Sequence, residues 1–280
     1  MSAQRLFLRE DFARYWAHRD PFVEVAALAT TPVRQVAQRT TFRFELDGRG
    51  FYAKVHRGVG WREILKNWLV AKAPVLDASN EYRAASRLAE LGMDTLQVAA
   101  FGVRGRNPAR RNSFLVTDEI TDFVTLETYT LNWQDVRPPW GVKRALVSKV
   151  AAVARCMHGA GVNHRDFYIC HLLLKDVQRL AVDTTHISVY LIDLHRAQLR
   201  ARVPYRWLVR DLAGLLYSTL DIGLTRGDRL RFLSEYFQLP VRELLQQHGR
   251  LLRAVERRAA QLYAKAERKQ ILPRQLAQQR

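Results

Sequence analysis

The sequence is poor in cysteine, and its two cysteines, Cys156 and Cys170, lack the CxxC spacing of metal-binding or redox pairs. This argues against a disulfide framework and a cysteine zinc site, so both are predicted to be ordinary buried thiols. The chain also lacks an apolar run of the about 20 residues that a membrane-spanning helix needs. Its first residues carry scattered charges instead of the apolar core of a secretory signal. We therefore expect a cytoplasmic protein, or one peripheral on the cytoplasmic side of a membrane.

Acidic residues are also scarce. The chain has 27 Asp and Glu against 45 Lys and Arg, a formal net charge of +18. Such a potential attracts polyanions, so the candidate partners are nucleic acid, nucleotides, anionic lipid or an acidic protein. The stretch 241–280 holds ten Lys or Arg and three Glu, which concentrates the excess. It is either a solvated basic helix or a surface for an acidic partner such as an acyl carrier protein.

Hydrophobic periodicity indicates strands and helices in the first part of the chain. Apolar and polar residues alternate over 41–46, and "DGRG" at 47–50 is a tight-turn signal. The resulting antiparallel meander ends in "FYAKVH", which places Lys54 on its third strand. Helices are predicted over 61–76 and then from Ser79 or Asn80, the expected cap, with Glu81 in the first turn.

The second part of the chain is predicted to be mostly helical. Strand patterns at 95–105 and 113–120 complete the first part, and long helical patterns follow at 140–162 and 205–265. Between these helices, the apolar runs "HLLL" and "ISVYLID" predict a small hairpin. We expect an α+β protein with a small antiparallel-sheet lobe over 1–120 and a mostly helical lobe over 121–280.

Chemistry is concentrated in "GVNHRDFYICHLLL" at 161–174. His164 and His171 are seven positions apart, which does not match the zinc-helix motif HExxH. "HRD" follows a helix and a glycine turn and precedes a hairpin, the context of a kinase catalytic loop, so Asp166 is the candidate base. "LIDLH" ends the hairpin with Asp193, where a kinase presents an aspartate that binds Mg²⁺.

Lys54 and Glu81 match the kinase pair that aims a lysine at the phosphates of ATP. Taken singly, each residue has a structural explanation: a solvated strand lysine, or a carboxylate at a helix N-terminus. The order and spacing of Lys54, Glu81, Asp166 and Asp193 together predict phosphoryl transfer from ATP. Asp211, at the start of a helical pattern, is predicted to brace the catalytic loop.

Some positions depart from the protein-kinase pattern. No GxGxxG precedes Lys54, so Arg39, Thr40 and backbone amides of a turn through "AQRTT" are the candidates to cover the phosphates. His171 replaces the metal-binding Asn, and it either ligates the metal, directly or through water, or holds Asp166 or Asp193 in place. Only 17 residues separate Asp193 from Asp211, too few for a peptide-binding activation segment. The acceptor is therefore predicted to be a small molecule or a glycan.

The stretches "FYAKVHRGVGWREILKN", "GVNHRDFYICHLLL", "LIDLHRAQ" and "DIGLTRGDRLRFL" resemble the lipopolysaccharide core heptose(I) kinases of Gram-negative bacteria, and the likeness spans nearly the whole chain. The resemblance implies a bilobal protein-kinase-like fold and phosphorylation of the first inner-core heptose by ATP and Mg²⁺. It implies that Asp166 is the base, Asp193 the metal ligand, and Lys54 with Glu81 the phosphate clamp. The implied acceptor is a glycolipid at the cytoplasmic face of the inner membrane, an anionic surface that suits a basic protein.

Other functions fit the sequence less well or share its catalytic residues. A kinase of Kdo, another inner-core sugar, would use the same catalytic residues, whereas an aminoglycoside kinase would favour an acidic cleft for its cationic substrate. A kinase-like scaffold for an acidic partner has no chemical need for two cleft carboxylates. The aromatic and glycine signatures of RNA-binding modules are absent from the sequence, so no nucleic-acid partner is expected.

Overall fold

The computed structural model describes residues 4–28, 34–36, 39–69, 75–180 and 182–269. The chain divides into two compact units. The first comprises Met1–Ala89, Leu96–Thr121 and Leu194–Arg196, and the second Glu90–Thr95, Asp122–Asp193 and Ala197–Arg280. The first is built on an antiparallel sheet and the second is mostly helical, which confirms the predicted α+β fold class.

Within the described residues, the first unit contains a six-stranded sheet and four α-helices. The strands are β1 (Gln4–Leu8), β2 (Arg34–Val36), β3 (Arg39–Leu46), β4 (Arg49–Arg57), β5 (Val98–Arg104) and β6 (Asn112–Asp118). The helices are α1 (Glu10–Tyr15), α2 (Pro21–Ala27), α3 (Gly60–Leu69) and α4 (Ser79–Glu90). The strand order is β1-β5-β6-β4-β3-β2, every neighbouring pair being antiparallel. Strands β2 to β4 form the predicted meander, and Lys54 lies on β4.

Two apolar clusters cover the sheet. The larger one joins α1 and α2 to the sheet through side chains that are almost fully buried, among them Phe12, Phe42, Phe51 and Phe114. The smaller one packs Tyr82 of α4 against Phe101 of β5, with ring centres 4.1 Å apart. Burial of these aromatic side chains removes a large apolar area from water and fixes α4 against the sheet.

Helix α3 differs from its prediction. The pattern predicts a helix over 61–76, whereas α3 ends at Leu69 and residues 70–74 lie outside the described part. Of the predicted apolar face, Ile64 is buried, but Trp61 and Leu65 are about half exposed.

The second unit surrounds its strands with helices. The strands are β7 (Phe123–Thr125), β8 (Val162–Asn163), β9 (Leu172–Lys175), β10 (Val189–Leu191) and β11 (Gln198–Leu199). The helices are α5 (Leu126–Tyr129), α6 (Trp140–Gly159), α7 (Val177–Leu180), α8 (Tyr205–Ser218), α9 (Arg226–Phe237) and α10 (Val241–Arg268). Strands β9 and β10 pair antiparallel, which confirms the predicted hairpin. This hairpin places residues 164–171 before its first strand and residue 193 after its second.

Two further expectations concern composition. Cys156 and Cys170 are half-buried instead of fully buried, and neither forms a disulfide within the described residues. Of the helices that the structure describes, none has the length and apolar character to cross a bilayer.

Candidate active site

Lys54 and Glu81 form an ion pair inside the first unit. Nζ of Lys54 lies 2.5 Å from Oε1 of Glu81, and the Glu81 side chain is 1% exposed. Lys54 lies mid-strand, opposite Thr41 of β3 and Leu115 of β6, so its backbone is fixed on both sides. A buried carboxylate needs a cation, and here Glu81 holds the ammonium of Lys54 in one orientation.

Asp77 sets the start of the helix that carries Glu81. Its Oδ1 accepts a hydrogen bond from the Ser79 amide at 2.8 Å, and its Oδ2 accepts one from Nη1 of Arg111 at 2.8 Å. Burial alone would raise the pKa of Asp77, but the hydrogen bonds from Ser79 and Arg111 outweigh it and lower the pKa. The capping carboxylate is therefore Asp77, and Ser79 is the first helical residue instead of the predicted cap.

Arg39 and Thr40 lie in strand β3, not in a turn. Arg39 pairs with Val36 and His56, and Thr40 with Val55. The prediction of a turn through residues 37–41 is therefore wrong for residues 39–41, which are strand. Residues 37 and 38 lie outside the described part. The placement puts both residues at the strand end that follows this connection.

The catalytic loop, defined here as residues 164–171, is held by a buried carboxylate of α8. Asp211 is 0% exposed, and its Oδ2 and Oδ1 accept the backbone N–H groups of His164 and Arg165, each at 2.7 Å. Arg165 has a left-handed φ of 76°, uncommon for a residue with a side chain. The two charge-assisted hydrogen bonds hold this backbone in place directly before Asp166. Asp211 thus occupies the position predicted for a brace.

The same face of α8 contacts the loop at two more positions. Gly214 lies so close that an added Cβ would be 3.0 Å from the Phe167 carbonyl oxygen. Oγ of Ser218 accepts the Ile169 amide at 3.2 Å. Asp211, Gly214 and Ser218 are spaced i, i+3, i+7, so they share one helical face. We call this set the loop-bracing face of α8.

His171 and Asp193 are adjacent. Nδ1 of His171 lies 2.7 Å from the Asp166 carbonyl oxygen, and Nε2 lies 3.4 Å from Oδ2 of Asp193. A carbonyl oxygen only accepts, so Nδ1 carries the hydrogen, and in a neutral ring the Nε2 lone pair faces the carboxylate. Asp193 has a left-handed φ of 60°. Asp193 and His171 together present one oxygen and one nitrogen donor.

These two donors fit part of a metal site. Mg²⁺ is usually held by one or two protein carboxylates, with waters and substrate phosphates completing its shell. In the described part of the chain, no group of three or more His, Cys, Asp or Glu is arranged around a common metal position. A metal bound by Asp193 and His171 would therefore take its other ligands from nucleotide and water.

Two buried histidines support the loop. His164 stacks on His171 with ring centres 5.5 Å apart, and its Nε2 donates to the Ile192 carbonyl oxygen at 3.0 Å. Burial lowers the pKa of His164, so its ring is neutral. His158 of α6 lies 3.4 Å from Oδ2 of Asp211 through Nε2 and 2.7 Å from the Tyr236 hydroxyl through Nδ1.

Sequence reasoning found the charged residues and missed their supports. Gly214, Ser218 and His158 contact the loop or its brace, and Tyr236 contacts His158, yet each looks like an ordinary helical residue. One signal was available, because Gly214 follows Asp211 at a helical spacing inside an apolar helix, where glycine is costly unless a close approach requires it.

Comparison with known proteins gives the family. A model described as "Lipopolysaccharide kinase (Kdo/WaaP) family" matches residues 23–236. The chain belongs to this family. It is 50% identical to the lipopolysaccharide core heptose(I) kinase WaaP of Pseudomonas aeruginosa over 264 residues, 94% of this chain and 98% of that protein. It is 42% identical to the WaaP protein of Escherichia coli, over 94% of this chain and 99% of that one. The predicted family and the prediction of a sugar kinase are confirmed.

A solved structure is also similar. WaaP in complex with acyl carrier protein superposes with a TM-score of 0.80 at 45% identity, covering 92% of this chain and 99% of that chain. This likeness agrees with the kinase-like fold class expected for the Kdo/WaaP family.

Proposed function

We propose that the protein transfers the γ-phosphoryl group of ATP to the first heptose of the lipopolysaccharide inner core. The observation that carries this proposal is the catalytic loop, in which Asp211 fixes the backbone immediately before Asp166 with two hydrogen bonds of 2.7 Å. Family membership and relatives named heptose(I) kinase support the substrate. Phosphoryl transfer depends mainly on positioned charge, and this loop is a rigid support for one such charge.

Each predicted residue takes a role in this reaction. Asp166 accepts the proton of the heptose hydroxyl while the hydroxyl oxygen bonds to the γ-phosphorus, and the bond to the β,γ-bridging oxygen breaks to release ADP. Lys54, held by Glu81, binds phosphate oxygens of ATP. Arg39 and Thr40 bind the same phosphates from the start of β3. Asp193 and His171 would hold Mg²⁺, which would neutralise charge on the phosphates.

We place the protein in the cytoplasm, peripheral to the anionic cytoplasmic face of the inner membrane. The net charge of +18 favours such a surface. Trp140 is 62% exposed, with the guanidinium carbons of Arg144 and Arg231 5.1 and 5.8 Å from its ring centre. An exposed indole flanked by cations suits the boundary between head groups and acyl chains.

An acyl carrier protein is proposed as a partner. The exposed side of α10 carries Arg250, Arg253, Arg257 and Arg258, which complement an acidic protein. Beside α10, an apolar cavity of about 170 Å³ is bordered by α5, α6, α8 and α9 and lined by side chains such as Leu216 and Leu233. A cavity of this character accepts an acyl chain. The similar structure with acyl carrier protein supports the same partner.

The carrier proposal predicts two separable contributions. Leu216→Trp fills the cavity and should weaken binding of an acylated carrier by about tenfold or more while leaving the unacylated carrier unaffected. The control Leu245→Trp changes a leucine of α10 that is 45% exposed and lies outside the cavity. Calorimetric titration of both variants with both carrier forms measures the difference. Equal affinities for the two forms in the wild-type protein would remove the cavity from this interaction.

The phosphorylation itself is tested with γ-labelled ATP, Mg²⁺ and an inner-core glycolipid that lacks heptose phosphate. Label should appear on the heptose with the wild-type protein and fall by at least about 1,000-fold with Asp166→Asn, because the amide cannot accept the proton. Lys54→Met should also lower labelling, because the ammonium that binds the phosphates is lost. Lys66→Met, which changes an exposed lysine of α3, is its control and should not. Label on Kdo would instead show that the acceptor is Kdo, the sugar that the family description names. Unchanged labelling with Asp166→Asn would remove Asp166 as the base.

A further inference from the structure

Three guanidinium groups lie against one indole in the second unit. The guanidinium carbons of Arg165, Arg206 and Arg210 lie 5.0, 5.2 and 5.5 Å from the centre of the Trp207 ring. Arg206, Trp207 and Arg210 belong to α8, and Arg165 belongs to the catalytic loop. The negative face of an indole attracts guanidinium groups and keeps them together. We call these four side chains the arginine–tryptophan cluster.

Arg210 connects the cluster to the candidate base. Its Nε donates to the Arg165 carbonyl oxygen at 2.8 Å, and its Nη2 lies 3.7 Å from Oδ1 of Asp166. Arg165 is 6% exposed, whereas Arg206 is an exposed residue. The cluster therefore extends from the position of Asp166 to solvent.

Arg206, Trp207 and Arg210 of the cluster lie in a stretch of the chain whose charged residues are all arginines. Residues 194–210 contain five arginines and neither aspartate nor glutamate. No carboxylate pairs with Arg206 anywhere in the ranges that the structure describes. Asp166 faces Arg210, and Asp211 accepts the backbone N–H of Arg165, so two carboxylates lie near three guanidinium groups. Guanidinium groups gathered around one ring repel each other, and an anion bound among them would relieve the repulsion.

The position of the cluster indicates which anion it binds. Guanidinium groups bind carboxylate and phosphate oxygens through paired N–H donors. The hydroxyl that gives its proton to Asp166 must lie beside Arg210, so its molecule can reach the cluster. We propose that the arginine–tryptophan cluster binds a carboxylate or phosphate substituent of the acceptor and so selects acceptors with negative charge near the reacting hydroxyl. This inference rests on the proposed function, because it takes Asp166 as the base.

Two sources of this anion can be separated by experiment. The wild-type protein, Arg206→Gln and Arg202→Gln are compared for KM and kcat with three forms of the inner-core glycolipid: unmodified, with carboxylates methylated, and with phosphates removed. Arg202 is an exposed arginine of the same segment outside the cluster, which makes Arg202→Gln the matched control.

Arg206→Gln should raise the KM for the unmodified glycolipid by about tenfold or more and change the KM for ATP by less than about twofold. Arg202→Gln should change both KM values by less than about twofold. The chemical modification that removes the bound anion should raise the glycolipid KM of the wild-type protein as much as Arg206→Gln does. With that modified glycolipid, Arg206→Gln and the wild-type protein should have the same KM. Methylation identifies a carboxylate, and dephosphorylation a phosphate. The inference is overturned if Arg206→Gln matches Arg202→Gln, or if the KM for ATP rises and that for the glycolipid does not.

Failure of the proposed function is distinguishable from failure of this subsite. If no glycolipid is phosphorylated, the three proteins and a fourth, Trp207→Phe, are titrated with inorganic phosphate and with acetate while tryptophan fluorescence is recorded. A saturable change that is present in the wild-type protein and in Arg202→Gln, and lost in Arg206→Gln and Trp207→Phe, supports the anion subsite and leaves only the acceptor wrong. No change in any of the proteins overturns both.

Discussion

The ring of His171 is fixed by the backbone of Asp166, because Nδ1 lies 2.7 Å from the Asp166 carbonyl oxygen. This contact turns Nε2 toward Asp193 and makes the imidazole a candidate metal ligand. Imidazole nitrogen favours Co²⁺ over Mg²⁺, and an amide oxygen does not. His171→Asn should therefore raise the half-saturating concentration of Co²⁺ by about tenfold and that of Mg²⁺ by less than about threefold, measured by metal titration of kinase activity.

The control for this change is His186→Asn, which alters an exposed histidine between β9 and β10. It should leave both metal titrations unchanged. Equal effects of His171→Asn on Co²⁺ and Mg²⁺ would mean that His171 acts only through the backbone of Asp166 and does not touch the metal.

Asp211→Asn should lower both stability and kcat. An amide side chain has one accepting oxygen, so one of the two N–H groups now bonded to Asp211 would face an NH₂ group. The expected loss in the free energy of unfolding is about 2 to 4 kcal/mol, because a buried donor loses a charged acceptor. Denaturant unfolding measures this loss, and steady-state assays should show a lower kcat with little change in the KM for ATP.

Asp221→Asn is the comparison for that variant. Asp221 accepts one hydrogen bond, from the Tyr263 hydroxyl at 3.0 Å. Loss of this hydrogen bond should lower the free energy of unfolding by about 1 kcal/mol and leave kcat unchanged. If both aspartate variants lost the same stability and kept full kcat, the bracing role of Asp211 would be refuted.

Gly214→Ala separates loop position from stability. The new Cβ would lie 3.0 Å from the Phe167 carbonyl oxygen, so the loop must move by a few tenths of an ångström. Helix propensity gains up to about 1 kcal/mol, which offsets the crowding, and the melting temperature should change little. Small displacements of a catalytic group are costly, and kcat should fall about tenfold.

Gly249→Ala gives the opposite pattern. This glycine of α10 has only the flexible end of Arg253 near its would-be Cβ, at 3.5 Å. The variant should be stabilised by about 0.5 to 1 kcal/mol with unchanged kcat. A Gly214→Ala enzyme with wild-type kcat would show that α8 does not determine the position of the loop.

His56 should make the protein sensitive to acid. Burial, followed by the nearby charge of Arg39, lowers the pKa of His56 to about 4. In the unfolded chain the ring takes up a proton near its ordinary pKa of about 6.5, so unfolding binds a proton between these values and stability falls as pH falls through this window. From pH 7 to pH 5 the expected loss is about 2 kcal/mol.

His56→Gln should remove most of that loss, and His18→Gln, which changes an exposed histidine, should keep it. Chemical denaturation at pH 7, 6 and 5 compares the three proteins. Parallel stability curves for the wild-type protein and His56→Gln would contradict the assignment of this acid sensitivity to His56.

The sequence was informative where chemistry requires a particular side chain. Order and spacing predicted the pairing of Lys54 with Glu81 that the structure shows, and strand alternation placed Lys54 on the third strand of the meander, which is β4. These signals survive because a charge in a largely apolar setting has few structural explanations.

The parts that could not be predicted depend on distances between remote segments. The proximity of Gly214 to Phe167 and the pairing of His158 with Asp211 follow from how helices pack, which no local pattern encodes. The wrong predictions concerned the ends of elements, where neighbouring residues compete for the same backbone groups. Asp77 supplied the cap in place of Ser79, and strand pairing with β4 extended β3 back to Arg39.

The hydrogen bonds from the loop-bracing face of α8 to the catalytic loop involve the peptide groups of the loop. Asp211 and Ser218 bind amide nitrogens, and Gly214 abuts a carbonyl oxygen. Peptide N–H groups are common to every residue type except proline. The hydrogen bonds that position the loop therefore require no particular side chain at residues 164, 165 and 169.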